Sequence, residues 1–257
     1  MNKRKQHVIS EYFDTTQDIN NAKRSKAIVE CSVDSLHTNQ CKEEDWVNIT
    51  GPQLSLATLI LYKTSKQRKN IFEELEKQII YLNDPELTRV KVFGRWHNLP
   101  RKQAAYGNEG VTYTYSGMKI PALPWNKAPI LQQILNNIKS VTNVEYNFVL
   151  VNRYQDGRDK IGEHKDDEKD LDVHAPIASL SFGQERDFVF KHQDLVRKLP
   201  NDKLILDVKR VHKIVLKDGM LLLMNAPTNK FWYHSLPPRS INTCPNVRIN
   251  LTFRKIV

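Results

Sequence analysis

From Arg89 to the end of the chain, the sequence is divided into short runs of alternating or apolar residues that are typical of β-strands. Segments containing glycine, proline, asparagine and aspartate separate these runs. The predicted strands are Val90–Phe93, Val111–Tyr115, Glu145–Tyr154, Ile177–Phe182, Asp187–Lys191, Leu204–Val208, Met220–Met224 and Val247–Phe253. Such a series predicts a sandwich or a jelly roll, because a sheet with one apolar face needs a second sheet to bury that face.

Two helices are predicted beside these strands. Apolar residues recur at helical spacing from Ile71 to Leu82, and the Asn-Asp-Pro turn at 83–85 is expected to end that helix. A second helix is predicted over Pro129–Val141, and the alternation in Leu54–Ile60 predicts a strand before the first helix. The predicted fold class is therefore α+β and mainly β, with helices flanking the sheets.

The first fifty residues differ in composition from the rest. Residues 1–50 are rich in polar side chains and lack a sustained apolar periodicity, so we expect a disordered tail there and a folded domain at 51–257. Neither a signal peptide nor a membrane helix is predicted, since no apolar stretch approaches the roughly 18–20 residues of a span. Three cysteines, at 31, 41 and 244, have no paired spacing, which favours a reducing compartment over disulfides or a thiolate zinc site.

An excess of basic residues favours a polyanionic partner. The formal net charge is +10 at pH 7, and such a charge attracts phosphate backbones in a salt-dependent manner. Many basic proteins never contact nucleic acid, so the charge is compatible with that partner without identifying it.

The segment Gly162–Glu168 contains a candidate metal-binding pair. His164 and Asp166 are two residues apart, so in an extended segment their side chains lie on the same side, where the distant His234 can complete a metal site. Two imidazoles and one carboxylate are the usual ligands of non-haem Fe(II) in oxygenases. The same set can also bind zinc for hydrolysis, and a polar loop of this kind can simply be a solvated surface.

The last predicted strand alternates strictly between an apolar and a polar face. The polar face carries Arg248, Asn250, Thr252 and Arg254. It can lie in water, as in many antiparallel sheets, or its two guanidinium groups can bind a small dicarboxylate. Asn152 and Tyr154, on one side of another strand, add neutral hydrogen-bond donors. An iron triad combined with a dicarboxylate site indicates 2-oxoglutarate.

In addition, the sequence resembles the AlkB family of nucleic-acid dioxygenases, and within it the nuclear branch that repairs double-stranded DNA. The matching segments are VKVFGRWHNLPRKQAAYG (91–107), VTYTYSG (111–117), FVLVNRYQDG (148–157), IGEHKDDEKDL (161–171), PIASLSFG (176–183), RDFVFKH (186–192), NAPTNKFWYHSLPPR (225–239) and RINLTFRKI (248–256). They follow the family's order over nearly all of residues 89–256. The resemblance implies a double-stranded β-helix, which is a jelly roll with helices outside.

The resemblance also implies a role for individual residues. The metal ligands and catalytic residues would be His164, Asp166 and His234, and the 2-oxoglutarate contacts would be Asn152, Tyr154, Arg248, Thr252 and Arg254. The implied substrate-binding residues are Phe93, Gly94, Arg95, Tyr113, Thr114, Tyr115 and Asp167, with Val92-Phe93-Gly94 as a finger that fills the gap left by an extruded base. Candidate contacts to the DNA backbone are Arg101, Lys102 and Arg239. Without the resemblance, the tyrosines and Phe93 are ordinary buried strand residues and the basic residues are a solvated surface.

The function implied by the resemblance is direct reversal of DNA damage. An Fe(II)/2-oxoglutarate-dependent dioxygenase would oxidatively demethylate 1-methyladenine and 3-methylcytosine in double-stranded DNA, with etheno adducts as further candidates, and would release formaldehyde, succinate and CO2. One alternative is an RNA demethylase with the same chemistry, against which the finger argues. Another is a non-catalytic damage-recognition module, against which the combination of Arg248 with Arg254 argues.

The tail carries a candidate docking motif. Gln6, Ile9, Tyr12 and Phe13 resemble the peptide that binds the replication sliding clamp, proliferating cell nuclear antigen, and the three apolar side chains would lie on one side of a helical turn. Short aromatic tails are also common without any function. A basic cluster at 23–26 suggests nuclear import, and we expect a nuclear, monomeric protein without membrane contact.

Overall fold

The computed structural model describes residues 45–92, 94–115, 118–166, 169–194, 196–198, 204–206 and 210–257. The helices are α1 (Ser65–Gln78), α2 (Pro129–Thr142) and the short α3 (Thr228–Phe231), with a 3-10 turn at Trp125–Lys127. The strands are β1 (Val47–Gly51), β2 (Leu54–Ile60), β3 (Arg89–Val92), β4 (Arg95–Asn98), β5 (Lys102–Gly107), β6 (Thr112–Tyr115), β7 (Met118–Pro121), β8 (Leu123–Pro124), β9 (Phe148–Tyr154), β10 (Ile161–His164), β11 (Ile177–Gly183), β12 (Arg186–His192), β13 (Val196–Lys198), β14 (Leu204–Leu206), β15 (Val211–Leu216), β16 (Met220–Met224), β17 (Trp232–Leu236) and β18 (Arg248–Arg254).

Two sheets form the body of the fold. The larger sheet has the strand order β1-β2-β16-β11-β18-β9-β5-β8 and is antiparallel except for the pair β5–β8. The smaller sheet has the order β10-β17-β12-β15, and three further pairs, β3-β4, β6-β7 and β13-β14, form two-stranded ribbons. Most strand pairs in both sheets join strands that are distant in sequence, although β1 and β2 are consecutive. This mainly β architecture with few helices confirms the predicted fold class.

Strand β18 lies inside the larger sheet, between β11 and β9. All seven of its residues are buried, including the polar face that begins at Arg248. Its apolar face, with Ile249, Leu251 and Phe253, is also fully buried. Of the two possibilities that the sequence left open for this strand, the structure therefore excludes a polar face in bulk water.

Helix α1 contacts the side of the larger sheet opposite to this polar face. Glu76 of α1 accepts hydrogen bonds from Arg153 of β9, the nearer at 2.7 Å, and Arg153 alternates along that strand with Asn152. The backbone N–H of Ile130 in α2 donates to Gln78 of α1 at 3.0 Å. The two helices therefore flank the sheet as predicted and leave its other face available for a site.

The first helix ends earlier than predicted. The periodicity indicated a helix to Leu82, whereas α1 ends at Gln78. The next backbone N–H groups bond elsewhere, that of Ile80 to the Tyr106 hydroxyl at 2.8 Å and that of Leu82 to the Gln103 carbonyl at 2.8 Å. Apolar spacing continued past the helix because these residues pack on strand β5, which the sequence analysis did not predict.

The domain boundary predicted at residue 51 also needs correction. Strand β1 begins at Val47 and pairs with β2 in the register Val47↔Thr58, so the folded domain includes residues before Gly51. Val47 and Ile49 alternate with Asn48 and Thr50, but the strand is short, follows a polar segment and is mostly exposed at the edge of the sheet, so its pattern does not distinguish it from that segment. Residues 1–44 of the predicted tail, with the clamp-binding motif at 6–13, lie outside the described residues. No helix among the described residues is long and apolar enough to cross a membrane.

Candidate metal and cosubstrate site

A cavity of about 700 Å³ lies between the two sheets. Strands β9, β11, β16 and β18 of the larger sheet and β10, β12 and β17 of the smaller sheet contribute side chains to its wall. Most side chains of this wall are polar or charged, and seven apolar residues lie among them, so the cavity suits a small ligand that is itself charged or polar. The polar face of β18 therefore points into the cavity.

Two histidines meet on the smaller sheet through strand register. His164 of β10 and His234 of β17 are direct cross-strand partners, and their ring centroids are 4.3 Å apart. The His164 Nδ1 atom lies 2.9 Å from the Gly162 carbonyl, and a proton on Nδ1 leaves Nε2 with its lone pair. Packing orients His234, whose ring lies 5.4 Å from that of Phe188 and 6.1 Å from that of Phe190.

Asp166 joins the two histidines from the segment that follows β10. Its Oδ2 atom accepts hydrogen bonds from Arg254, from Nη2 at 2.8 Å and from Nε at 3.3 Å. Its Oδ1 atom lies 3.6 Å from Nε2 of His164 and 3.6 Å from Nε2 of His234. Arg254 thus holds one carboxylate oxygen, so that the other faces the two imidazole nitrogens.

The electrostatic setting keeps these groups in the protonation states that bind a cation. Burial, and then the charge of His234, lower the pKa of the His164 imidazole to about 4, so it is neutral at physiological pH. Burial raises the pKa of the Asp166 carboxyl, but Arg254 and the two histidines lower it more strongly, so it stays ionised. Metal ligands must be deprotonated before they bind, and His164 and Asp166 already meet this requirement.

The geometry fits one metal ion. Bonds from a metal of this kind to its ligands are about 2 Å, so two ligand atoms of one ion are at most about 4 Å apart. The Oδ1 atom of Asp166 meets this limit, at 3.6 Å from Nε2 of each histidine, and the ligand atoms of all three residues lie within 4.8 Å of one another. Separations of 3.6 Å are too long for hydrogen bonds, so mutual hydrogen bonding does not account for the convergence. Two imidazoles and one carboxylate on one side of an ion are the facial triad of Fe(II) oxygenases.

The guanidinium group of Arg248 is a buried cation in the wall that the larger sheet contributes to the cavity. Arg248 is 2% exposed, and its Nη2 atom donates to the Ser181 hydroxyl at 3.0 Å. Its Nε and Nη1 atoms are buried and have no hydrogen-bond partner among the described residues. Burial lowers the pKa of this guanidinium to about 10, so it is still charged at neutral pH. Burying such a charge is costly without an anion, so these two donors fit the carboxylate of a bound ligand.

Asn152 and Tyr154, the predicted neutral hydrogen-bond donors, lie on the strand next to Arg248. Register places Tyr154 opposite Arg248 and Asn152 opposite Asn250 on neighbouring strands, and all four line the cavity. The guanidinium carbon of Arg248 lies 5.2 Å from the centre of the Tyr154 ring. Thr252, also in the wall, donates its hydroxyl to Asn250 Oδ1 at 3.3 Å. The structure therefore brings all five predicted 2-oxoglutarate residues into one wall.

Arg101 requires a correction. Arg101 was predicted to contact the DNA backbone, but it is 8% exposed and lines the cavity. Its Nε atom donates to Asn152 Oδ1 at 2.8 Å, and Gln103 Nε2 donates to the same oxygen at 2.9 Å. With its oxygen held in this way, the Asn152 amide keeps its NH2 group as the donor. Sequence reasoning missed this role because a surface arginine and a buried one have the same pattern in a short basic run.

The other residues predicted to bind the damaged base or the DNA backbone do not all line the cavity. Thr114 lines the cavity, and its hydroxyl lies 3.5 Å from an Asp170 carboxylate oxygen. Arg95 and Lys102 are exposed, and Arg239 forms an ion pair with Asp187. Gly94 follows strand β3 with a φ of 80°. Phe93, Asp167 and the side chains of Tyr113 and Tyr115 lie outside the described part of the chain.

Comparison with known proteins decides the family. The sequence pattern of the 2OG-Fe(II) oxygenase superfamily matches residues 55–254. The chain belongs to this superfamily. The match includes strands of both sheets. It contains the three residues of the triad and the five residues predicted to bind 2-oxoglutarate, so the matched region includes the candidate site. Membership in the 2OG-Fe(II) oxygenase superfamily favours Fe(II) over the zinc alternative, with 2-oxoglutarate and O2 as cosubstrates.

Relatives within the superfamily are more specific. The DNA oxidative demethylase ALKBH2 of Homo sapiens is 47% identical over 212 residues, which cover 82% of this chain and 77% of that protein. ALKBH2 of Bos taurus is also 47% identical over 212 residues, covering 82% of this chain and 72% of that protein. The alpha-ketoglutarate-dependent dioxygenase alkB homolog 3 of Homo sapiens is 37% identical over 161 residues, covering 61% and 52%. These oxygenases confirm the resemblance to the AlkB family.

Proposed function

We propose that this oxygenase is a DNA oxidative demethylase that repairs alkylated bases in double-stranded DNA. The observation that carries the proposal is the coexistence, in one cavity, of a convergent His164–Asp166–His234 set and the buried cation Arg248. Its support from relatives is the identity to ALKBH2 over most of both chains. 1-Methyladenine and 3-methylcytosine are the proposed substrates, with etheno adducts as further candidates.

The chain's own residues divide the work between two ligands. We assign His164, Asp166 and His234 to hold Fe(II), and Arg248, Tyr154, Asn152, Thr252 and Arg254 to hold 2-oxoglutarate. A charged guanidinium and a carboxylate form a strong, directional pair when they are buried, as Arg248 is. The two histidines assigned to the metal belong to strands of the smaller sheet, the residues assigned to the dicarboxylate belong to strands of the larger sheet, and Arg254 joins the two sets through its hydrogen bonds to Asp166.

When bound, Fe(II) with 2-oxoglutarate and O2 supplies the oxidising power, and the products balance. One oxygen atom of O2 enters succinate as 2-oxoglutarate loses CO2, and the other converts the N-methyl C–H into C–OH. The hydroxymethyl group then leaves the base nitrogen as formaldehyde, which restores the base. The protein's contribution is to orient both ligands, exclude water and present the alkyl group to the metal face.

Access of a base in a duplex requires that the base leave the stack. We propose that Phe93 fills the resulting gap and that Tyr113, Tyr115 and Asp167 contact the extruded base. Strands β3 and β4 pair with Val92 opposite Arg95, which leaves two residues to connect them. Gly94, with φ of 80° and open space around its Cβ position, suits a tight connection of this kind. Apolar wedges are a common means of stabilising an opened duplex.

The test of the proposed function is removal of one methyl group. Fe(II)-loaded protein and 2-oxoglutarate are mixed anaerobically with a duplex containing a single 1-methyladenine, air is admitted, and the strand is weighed by mass spectrometry. We expect the loss of one methyl mass, dependent on iron and 2-oxoglutarate. No loss on duplex or single strand, with iron binding verified, would refute base demethylation.

The same assay separates DNA from RNA as the substrate. The modified base is placed in a DNA duplex, in the same single DNA strand and in the matching RNA strand. A DNA repair enzyme that opens a duplex is expected to process the DNA duplex faster than the RNA. Faster processing of RNA would favour the RNA demethylase, since the same pocket can accept a splayed-out RNA base.

We further propose that the tail recruits the protein to the replication sliding clamp in the nucleus. Gln6, Ile9, Tyr12 and Phe13 carry this proposal, because two adjacent aromatic side chains and an aliphatic one can fill an apolar pocket on the partner.

The exposed basic residues Arg95 and Lys102, and Arg239, are proposed contacts to the DNA backbone.

Replacing both aromatic residues of the motif tests the recruitment. The double substitution Tyr12→Ala and Phe13→Ala is expected to abolish binding of the full chain to immobilised proliferating cell nuclear antigen, because the apolar anchors contribute most of the binding energy. Demethylation of a short oligonucleotide is the control and is expected to be unchanged. Equal binding of the altered and original chains to the clamp would contradict the proposal.

A further inference from the structure

The pairing between strands β10 and β17 of the smaller sheet does not extend to Asp166, the third residue of the proposed metal site. The last pair of β10 with β17 is His164↔His234. Asp166 lies two residues beyond, outside any strand, yet it is 4% exposed. Buried backbone N–H and C=O groups need partners, and no strand supplies them here.

The side chain of Asn229 supplies both partners. Its Oδ1 atom accepts a hydrogen bond from the Asp166 backbone N–H at 3.0 Å. Its Nδ2 atom donates to the Asp166 backbone carbonyl. The amide orientation is unambiguous, because the oxygen faces an N–H and the nitrogen faces a carbonyl. Asn229 therefore acts on this backbone as a strand neighbour would.

Asn229 is itself fixed to the larger sheet. It belongs to α3, whose first residue, Thr228, is fully buried. The Thr228 hydroxyl accepts from the Ser55 backbone N–H at 2.8 Å and donates to the Ser55 carbonyl at 3.0 Å. Ser55 lies in β2 of the larger sheet. Two consecutive residues of α3 therefore connect that sheet to Asp166: Thr228 is hydrogen-bonded to Ser55, and Asn229 is hydrogen-bonded to the backbone of Asp166.

A second tie joins the same two segments. The Lys165 Nζ atom donates to the Lys230 carbonyl at 2.6 Å and to Gln193 Oε1 at 2.9 Å. Its charge also lies 4.7 Å from the centre of the Tyr233 ring, beside His234. Because α3 leads directly into β17, both ties link the segment of Asp166 to the segment of His234.

We propose that Asn229 is a positioning residue of the metal centre, which sets the place of Asp166 relative to His234. Arg254 orients the carboxylate of Asp166, but it does not locate the backbone from which that carboxylate extends. Groups that orient metal ligands from outside the ligand shell commonly contribute about 10–100-fold to metal affinity. The inference rests on the proposed metal site and is independent of the substrate.

The test compares Asn229→Ala with a matched control in the same chain. Asn147 makes the same two-bond clamp elsewhere, with Nδ2 donating to the Ile256 carbonyl at 2.8 Å and Oδ1 accepting from the Ile256 N–H at 2.7 Å. Neither residue of that clamp lines the cavity. Asn147→Ala therefore removes equivalent hydrogen bonds without touching the metal site.

Co(II) alone is titrated anaerobically into each full-length protein, and its visible absorption reports both affinity and coordination geometry. Asn229→Ala is expected to weaken Co(II) binding about 10–100-fold and to alter the spectrum, whereas Asn147→Ala leaves both as in the original protein. Thermal unfolding of the metal-free proteins measures any general loss of stability. If Asn229→Ala does not fold, Asn229→Ser, which is too short to reach both backbone groups, is used instead.

The outcomes separate the inference from the metal site itself. An original protein that binds no Co(II) would refute the proposed site, and His234→Ala checks that binding occurs there. If the original protein binds Co(II), and Asn229→Ala binds it with the same affinity and the same spectrum, the positioning role alone would be overturned. An equal loss of affinity in the Asn147 variant would also overturn it, since the effect would then be a general loss of stability.

Discussion

Replacing Asp166 with asparagine is expected to lower demethylation of a 1-methyladenine duplex by at least about 10³-fold, equivalent to about 4 kcal/mol of transition-state stabilisation. The substitution keeps the size of the side chain and removes its charge. The carboxylate is the single anionic group of the triad, with Oδ1 at 3.6 Å from both histidine Nε2 atoms. A neutral amide is a far weaker metal ligand, so iron content and turnover should fall together. The measurement is methyl loss by mass spectrometry, with bound iron determined on the same sample.

The control for Asp166 is a carboxylate in an ion pair outside the cavity. Glu76→Gln weakens the pair between helix α1 and Arg153 without changing a residue of the cavity wall. We expect that variant to keep its iron and its turnover. An Asp166→Asn protein with turnover close to the original would show that the reaction does not pass through this triad. A folded Asp166→Asn protein that lost turnover but kept its repair effect in cells would favour the damage-recognition module.

Replacing Arg248 with methionine is expected to raise the KM for 2-oxoglutarate strongly while leaving the unliganded fold at least as stable. Loss of one partner of a buried, hydrogen-bonded charge pair costs about 2–5 kcal/mol, which corresponds to roughly 30-fold to several thousand-fold in affinity. No carboxylate among the described residues pairs with this guanidinium, and its Nε and Nη1 atoms have no hydrogen-bond partner there. Removing a buried charge without an anionic partner relieves a desolvation cost.

Arg186 is the matched control for this second prediction. It is also 2% exposed, but it donates to the carbonyls of Asp156, Asp159 and Pro237 at 3.2, 2.9 and 2.8 Å. Arg186→Met should therefore lower the melting temperature and leave the KM for 2-oxoglutarate nearly unchanged. Steady-state kinetics and thermal unfolding of both variants measure the two effects. If Arg248→Met bound 2-oxoglutarate like the original protein, the dicarboxylate would have to lie elsewhere in the cavity.

The sequence by itself determined many of the strands, the class of the fold and the chemistry of the candidate site. Strict alternation in residues 247–254 identified a strand with one polar face, and a two-residue spacing placed His164 and Asp166 on the same side. The first pattern is readable because a strand has a fixed side-chain period, whatever surrounds it, and the second placed the two residues correctly although β10 ends at His164. The same local logic failed at Leu82, where apolar spacing continued after helix α1 had ended, and at β1, where a short and mostly exposed edge strand directly follows a polar segment.

Only the tertiary structure decided which polar groups are buried and which of them meet. Pairing of β10 with β17 makes His164 and His234 neighbours, although they are distant in sequence, and long-range register of this kind leaves no local signal. The change of Arg101 from a surface contact to a buried partner of Asn152 depends on the strands packed around it. The clamp of Asn229 on Asp166 depends likewise on α3 being held against β2. Periodicity records which face of a strand is polar, whereas contacts between faces follow from how the sheets pack.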